Sequence, residues 1–364
     1  MHTTLSNRVV TTIAAAAVAL GALGAAALLP GRPVAAAGTS AVTAGTAAAV
    51  AQEAPGAGAQ AAAARYWTPA RMSAVLQAAD PAAAARDLVE ARYLVKRARV
   101  VAPREPALAG GTGGKGLRWT RGGAVAAAVG KVFFTLGDAD YVCSGTLVGR
   151  GQAEVVLTAA HCVSSGPARG AAQWATNWVF VPGYRNGQLP YGEYTASRFV
   201  TEPGWSGPQG GTEQYDVAFV RVTAATLNGW SGAAAVPPPG LPVQFRAGQD
   251  GPEAGRGYVF GYPAEPPYTG LYPSYCAGPV AAADGSARTA CAMTAGDSGG
   301  PWLAGFSPRS GAGRVFAVST YKLSGDLRVL YGAVLGPQAR AAYLRAVRPP
   351  GWSQQHSGLV RAAG

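Results

Sequence analysis

The chain has 364 residues, enough for two domains, with 30 basic and 18 acidic side chains and a net charge of +12. Its 51 Gly and 27 Pro make up about a fifth of the residues, yet 49% are hydrophobic, which supplies a core and excludes wholesale disorder. The charge is spread evenly, with 11 basic and 5 acidic groups up to residue 115 and 19 and 13 after it, and no binding motif accompanies it, so a nucleic-acid partner is not indicated.

At the start, Arg8 precedes an apolar run over residues 13–29, followed by Pro30-Gly31 and Ala35-Ala36-Ala37. This is the pattern of an export signal cleaved after Ala37. An uncleaved anchor is the other reading, since residues 9–29 are long enough to span a bilayer. Either way the remainder is expected outside the cell, where disulfides persist. Residues 38–64, rich in Ala, Gly and Thr, read as a flexible linker. Thr68-Pro69 then predicts a helix start, with Met72, Val75, Leu76 and Ala79 on one apolar face. Asp80-Pro81 interrupts it, and a second helical stretch carries Leu88, Ala91, Arg92 and Val95. The glycine-rich stretch 110–116 resembles a phosphate loop but lacks the first Gly of that pattern, has Gly116 after Lys115, and follows no strand, so it reads as a linker.

From Val125 the texture changes to short β-branched and aromatic runs at 131–135, 145–148, 155–158, 178–181, 216–222, 257–260 and 315–319, separated by Gly and Pro. Such spacing predicts an all-β barrel or sandwich, with one helix over 337–347. Three segments carry reactive groups. Leu157-Thr158-Ala159-Ala160-His161-Cys162 ends a strand on a histidine, Tyr215-Asp216-Val217-Ala218 brings an acid into an apolar strand, and Gly296-Asp297-Ser298-Gly299-Gly300-Pro301 sets a serine in a glycine-rich turn. Acyl transfer by serine needs a base, a carboxylate to hold that base in one tautomer, and backbone donors for the oxyanion. Asp250, Asp284 and Asp297 are the rival acids between His161 and Ser298, and none enters an apolar strand as Asp216 does. The four cysteines, Cys143, Cys162, Cys276 and Cys291, allow three connectivities. No CxxC or HExxH is present, which argues against a zinc site of the usual spacing.

These motifs, in the order His, Asp, Ser, resemble those of the chymotrypsin-like (trypsin-like) serine endopeptidases, in particular a secreted bacterial branch, over about residues 120–348. The resemblance implies two six-stranded antiparallel β-barrels, spanning about 122–235 and 250–335, with a C-terminal helix. It implies His161 as general base, Asp216 as its orienting carboxylate and Ser298 as nucleophile, with the Gly296 and Ser298 amides as oxyanion hole. Asp297 would stabilise the oxyanion turn by pairing with a cation. The family bridges the place of Cys143 and Cys162, which leaves Cys276 with Cys291. Ala292 would lie at the base of the primary pocket, and Ser319, Thr320 and Tyr321 would line it and pair with substrate backbone. With Ala292 uncharged and Val318 where a glutamyl-type pocket often has histidine, the pocket reads as neutral and suited to apolar or small side chains; Lys322 is close enough to attract an acidic side chain but reads first as solvent-facing.

The family's Ile-Val-Gly-Gly amino terminus is absent. Arg118 and Arg121 are candidate processing sites, and an internal Arg is expected to partner Asp297. The expected organisation is a signal over 1–37, a low-complexity and helical pro-segment or linker over 38–121, a protease domain over 122–350 and a tail over 351–364. The expected protein is secreted and monomeric, acts on protein or peptide substrates, and has no nucleic-acid partner, no membrane association after signal removal, no metal and no cofactor. Two other readings remain. Gly296-Asp297-Ser298-Gly299-Gly300 also fits the G-x-S-x-G elbow of α/β-hydrolases, with Asp326 and His356 as partners, but no strand–helix alternation surrounds it. A protease-like module that binds peptides without cleaving them is the other.

Overall fold

The computed structural model describes residues 50–53, 56–77, 95–96, 111–149, 154–167, 172–208, 210–225, 238–246, 255–283 and 285–348. The expected signal over 1–37, the stretch with Leu88, Ala91 and Arg92, and the tail with His356 lie outside the described residues. The described residues all belong to one compact unit.

The chain begins with β1 (Val50–Glu53), α1 (Ala57–Tyr66), α2 (Pro69–Gln77), β2 (Val95–Lys96) and β3 (Leu117–Arg118). Next come α3 (Gly123–Ala128), β4 (Val129–Leu136), β5 (Ala139–Val148), β6 (Val155–Thr158), β7 (Thr176–Pro182), β8 (Tyr194–Thr201) and β9 (Ala218–Ala224). The last group is β10 (Gly255–Gly261), β11 (Ser274–Ala283), β12 (Ser286–Ala290), β13 (Pro301–Ser307), β14 (Ala312–Leu323), β15 (Asp326–Val334) and α4 (Pro337–Val347).

Strands β8-β7-β4-β5-β6-β9 close on themselves through β8–β9, and β10-β13-β14-β15-β12-β11 close through β10–β11, giving two six-stranded antiparallel barrels. Closure removes the free edges an open sheet would leave. The expected two-barrel architecture with a C-terminal helix is therefore present. The α/β-hydrolase reading is overturned, because Ser298 sits between antiparallel strands and not at a strand-to-helix elbow.

Local sequence explains much of this. In β4 the residues Val129, Val132, Phe133 and Phe134 are all buried. They form a continuous apolar run because one face looks into the barrel and the other is covered by Trp67, whose ring lies 5.3 Å from that of Phe133. Helix α4 starts on Pro337, buries Ala339, Ala342 and Ala346, and packs on β8 and β9. Its last carbonyls accept hydrogen bonds from Arg198 to Arg348 (2.8 Å) and from Arg221 to Val347 and Arg348 (3.1 and 2.9 Å), which complements the negative helix end. Helix α2 starts as expected, the Thr68 hydroxyl accepting from the Arg71 amide at 3.2 Å.

Three local readings fail. Part of the 38–64 stretch, read as flexible, forms β1 and α1. Alanine is the strongest helix former, Ala63 and Ala64 are buried, and β1 gains its partner only from β8. Val95 continues no helix. It lies in β2, which runs parallel to β14 with Val95 opposite Lys322 and Lys96 opposite Leu323. The run expected from Asp216 becomes regular strand only at Ala218, because a 3₁₀ turn over Glu213–Tyr215 delivers Asp216 to the barrel. Both disulfides pair as the resemblance implied, Cys143 with Cys162 and Cys276 with Cys291.

Candidate active site

His161 stands in a 3₁₀ turn, Ala160–Cys162, directly after β6, and the adjoining Cys143–Cys162 bridge fixes that turn to β5. Asp216 is fully buried and holds this turn twice. One carboxylate oxygen accepts from the His161 amide at 2.9 Å, and the other lies 2.7 Å from His161 Nδ1. A second acid, Glu202, faces the same corner, its amide donating to the Val217 carbonyl at 3.1 Å. Burial first, and then the Asp216 charge, push Glu202 well above the usual carboxyl range. Burial and the neighbouring carboxylate thus both favour the neutral form of Glu202.

Ser298 is 7% exposed and follows a turn that only glycine permits. Gly296 has φ +96°, in the region disfavoured for residues with a Cβ. Gly299 has φ +80°, and a Cβ there would collide with Thr158 Oγ1 and the Ser144 carbonyl and lie 2.8 Å from the Ala159 nitrogen. The serine turn thus presses against the strand end that carries His161. Ser144 bolts the barrels together at this point. Its hydroxyl donates to the Gly296 carbonyl and accepts from the Tyr262 amide, both at 2.8 Å, and its amide donates to the Ser298 carbonyl at 2.8 Å. Among the described residues neither the Gly296 nor the Ser298 amide donates to a protein acceptor.

Asp297 is buried with Oδ2 unpartnered. Burial pushes its carboxyl up to about 7, against the pull of Lys322 first and His161 second. The cation that acts most on Asp297 is therefore a lysine, and among the described residues no arginine pairs with it as expected. Arg118 instead lies over the Tyr272 ring, 3.3 Å from its centroid.

Lys322 is not solvent-facing. Its ammonium donates to the carbonyls of Cys291 and Leu327, both at 2.6 Å. Ser319 Oγ accepts from Trp302 Nε1 at 3.1 Å, its amide donates to Gly300 at 2.9 Å and its carbonyl accepts from Gly299 at 2.8 Å. Thr320 Oγ1 donates to the Tyr331 carbonyl at 3.2 Å, and the Tyr321 ring stacks on Tyr331 with 4.7 Å between centroids. Ala292 donates to the Gly114 carbonyl at 2.7 Å and lines a cavity of about 590 Å³ with Lys115, Tyr268 and Tyr272, a cavity that Ser319, Thr320 and Tyr321 do not line. The Cys143, His161 and Cys162 ligand atoms lie within 4.8 Å of one another, but both sulfurs are spent in the bridge and leave no thiolate for a metal. Sequence reasoning missed Ser144, Glu202 and Lys131. Only Lys131, a charge inside the apolar run of β4, gave a local sign of itself.

Residues 143–305 match the family of trypsin-like peptidase domains. Among solved structures, the protease Anisep from Arthrobacter nicotinovorans is 36% identical, with 61% of this chain and 95% of that one covered and a TM-score of 0.52. The thermostable serine protease AL20 from an extremophilic microorganism is 28% identical, with 62% and 98% covered and the same TM-score. A curated protein of Bacillus subtilis (strain 168), named extracellular metalloprotease, is 31% identical over 94 residues, and the match spans 27% of its length. In fold, motif order and relatives alike, the chain belongs to the trypsin-like serine peptidases.

Proposed function

We propose that this protein is a secreted serine endopeptidase that cleaves peptide bonds through an acyl-enzyme on Ser298. The observation that carries the reading is the His161–Asp216 pair, a buried carboxylate bonded to both the amide and Nδ1 of one histidine. With Nδ1–H held by Asp216, Nε2 is the nitrogen free to accept the Ser298 hydroxyl proton. Ser298 Oγ then attacks the scissile carbonyl, and the oxygen of the tetrahedral intermediate is received by the unpaired Gly296 and Ser298 amides. His161 returns the proton to the leaving amine, and water attacks the acyl-enzyme by the same route in reverse. Asp297 holds the oxyanion turn without touching substrate.

On this reading Ser319, Thr320 and Tyr321 accept substrate as an added strand, while Ala292 lines a separate cavity that also carries Lys115 and Arg118 and is therefore not the neutral pocket expected. Residues Val95–Lys96 pair with the next two residues of β14, Lys322 and Leu323, so this part of the pro-segment competes with substrate until it is cut away. Two closed disulfides suit an oxidising compartment, consistent with a signal peptide over 1–37. Among the described residues no helix is long and apolar enough to cross a membrane.

The test is a digest of a denatured protein mixture with the secreted enzyme and its Ser298→Ala variant, reading the cut sites by mass spectrometry. Cuts made only by the wild type support the mechanism and reveal the pocket preference. Equal cutting by both overturns it, and no cutting by wild type freed of Val95–Lys96 favours a binding module.

A further inference from the structure

A segment that is shed after blocking a cleft is expected to bury little apolar surface on the domain it leaves, since large apolar interfaces are typical of permanent ones. Residues 50–77 do the opposite. Strand β1 pairs antiparallel with β8 over four residues, from Val50 opposite Thr201 to Glu53 opposite Arg198. Trp67 and Met72 are each 1% exposed. The Trp67 ring packs on Phe133 and its indole N–H donates to the Asn177 carbonyl. Above it, Asp140 accepts from Tyr66 at 2.9 Å and pairs with Arg71 at 3.0 Å.

The far end of this segment reaches toward the proposed oxyanion turn. Leu76 Cδ2 and Lys131 Nζ both abut Gly270, each 2.8 Å from where a Cβ would stand, with Ala264 Cβ at 3.1 Å. Ala264 in turn donates its amide to the Ala295 carbonyl at 2.7 Å and packs against Gly296. Lys131 is wholly buried in this corner, its ammonium 3.5 Å from the Tyr262 carbonyl. Leu76 thus covers a buried lysine and braces the loop that backs Gly296.

We infer that residues 50–77 are a permanent part of the working protease, remaining seated on the first barrel after the chain is cut downstream and bracing the 262–270 loop behind the oxyanion turn. The activity half of this inference rests on the proposed mechanism. The retention half stands without it.

The test uses the full chain with a site-specific cleavage sequence inserted between Ala85 and Arg86. After cutting, the sample is passed through size exclusion under native conditions, its fragments are identified by denaturing mass spectrometry, and the rate of Ser298 labelling by a fluorophosphonate is measured. The expected result is that the fragment containing residues 50–77 co-elutes with the barrels and the labelling rate stays within about twofold of that of the uncut chain. In a cut Leu76→Asp variant with unchanged circular dichroism, the labelling rate falls at least tenfold. Release of the wild-type fragment with labelling unchanged or raised overturns the inference and marks the segment as a removable inhibitor. Failure of Ser298 to label in either form, repeated after a second cut that removes Val95–Lys96, counts against the proposed mechanism, while elution still decides retention.

Discussion

At the scale of single residues, the proposed site works by leaving few groups free and anchoring the rest. Asp216 spends both oxygens on one histidine, and Ser144 spends its hydroxyl on Gly296 and Tyr262. Replacing Ser298 or His161 by Ala is expected to cost on the order of 10³ to 10⁶ in kcat, read with a peptide ester, because the triad acts as a unit. Ser144→Ala should lower kcat about ten- to a hundredfold with KM nearly unchanged, since its hydroxyl orders an oxyanion donor without meeting substrate. Lys322→Met should move the Asp297 carboxyl upward from about 7, because Lys322 is the largest charge pulling it down. Carbon-13 titration of the labelled carboxyl measures this, and an unmoved midpoint refutes the coupling.

At the scale of elements, the short 3₁₀ turns and glycine turns matter more than the strands they interrupt. The turn over Glu213–Tyr215 carries Asp216 to His161, and the turn of Gly296 and Gly299 sets Ser298 against Thr158 and Ala159. The serine turn was legible as a motif, because the GDSGGP string is local, whereas the turn over Glu213–Tyr215 was hidden in what reads as a strand start. The strands β8, β11, β12, β13 and β15 were not legible either, since their Ala, Ser, Gly and Arg residues carry no strong strand preference and become strands by pairing with neighbours far along the chain. The Cys276–Cys291 bridge, with a sequence separation of 15, ties β11 to the segment before the serine turn. Replacing both cysteines by serine should cost about 3 kcal/mol in urea unfolding.

At the scale of the whole molecule, burial of ionisable groups sets the pH response. Glu193 is 2% exposed with neither carboxyl oxygen partnered, and burial pushes it up to about 8. Its folded value lies above its unfolded one, so its contribution is fully present below about 4.5 and is lost as pH rises through about 8. Lys131 has the opposite sign. Burial pulls it down to about 7, so stability from this group is present above about 10.5 and is lost as pH falls toward 7. Glu193→Gln should therefore raise Tm by several degrees at pH 8 and far less at pH 4. Equal shifts at both values would show that the carboxyl is not held neutral.

The sequence by itself determined the family, the candidate triad, the pairing of cysteines that the resemblance implied, and the helices at 69–77 and 337–347. Those features are local strings or periodic patterns, complete within a dozen residues. Tertiary structure alone decided that an Ala-rich stretch at 57–66 is a docked helix, that Val95 joins a strand, that Lys322 points inward, and that Ser144 and Glu202 belong to the site. Each depends on a partner far along the chain, whose burial and hydrogen bonds no local pattern encodes. The same holds for the inward-facing Trp67 and Leu76, which become part of the protease only because the first barrel offers them a surface.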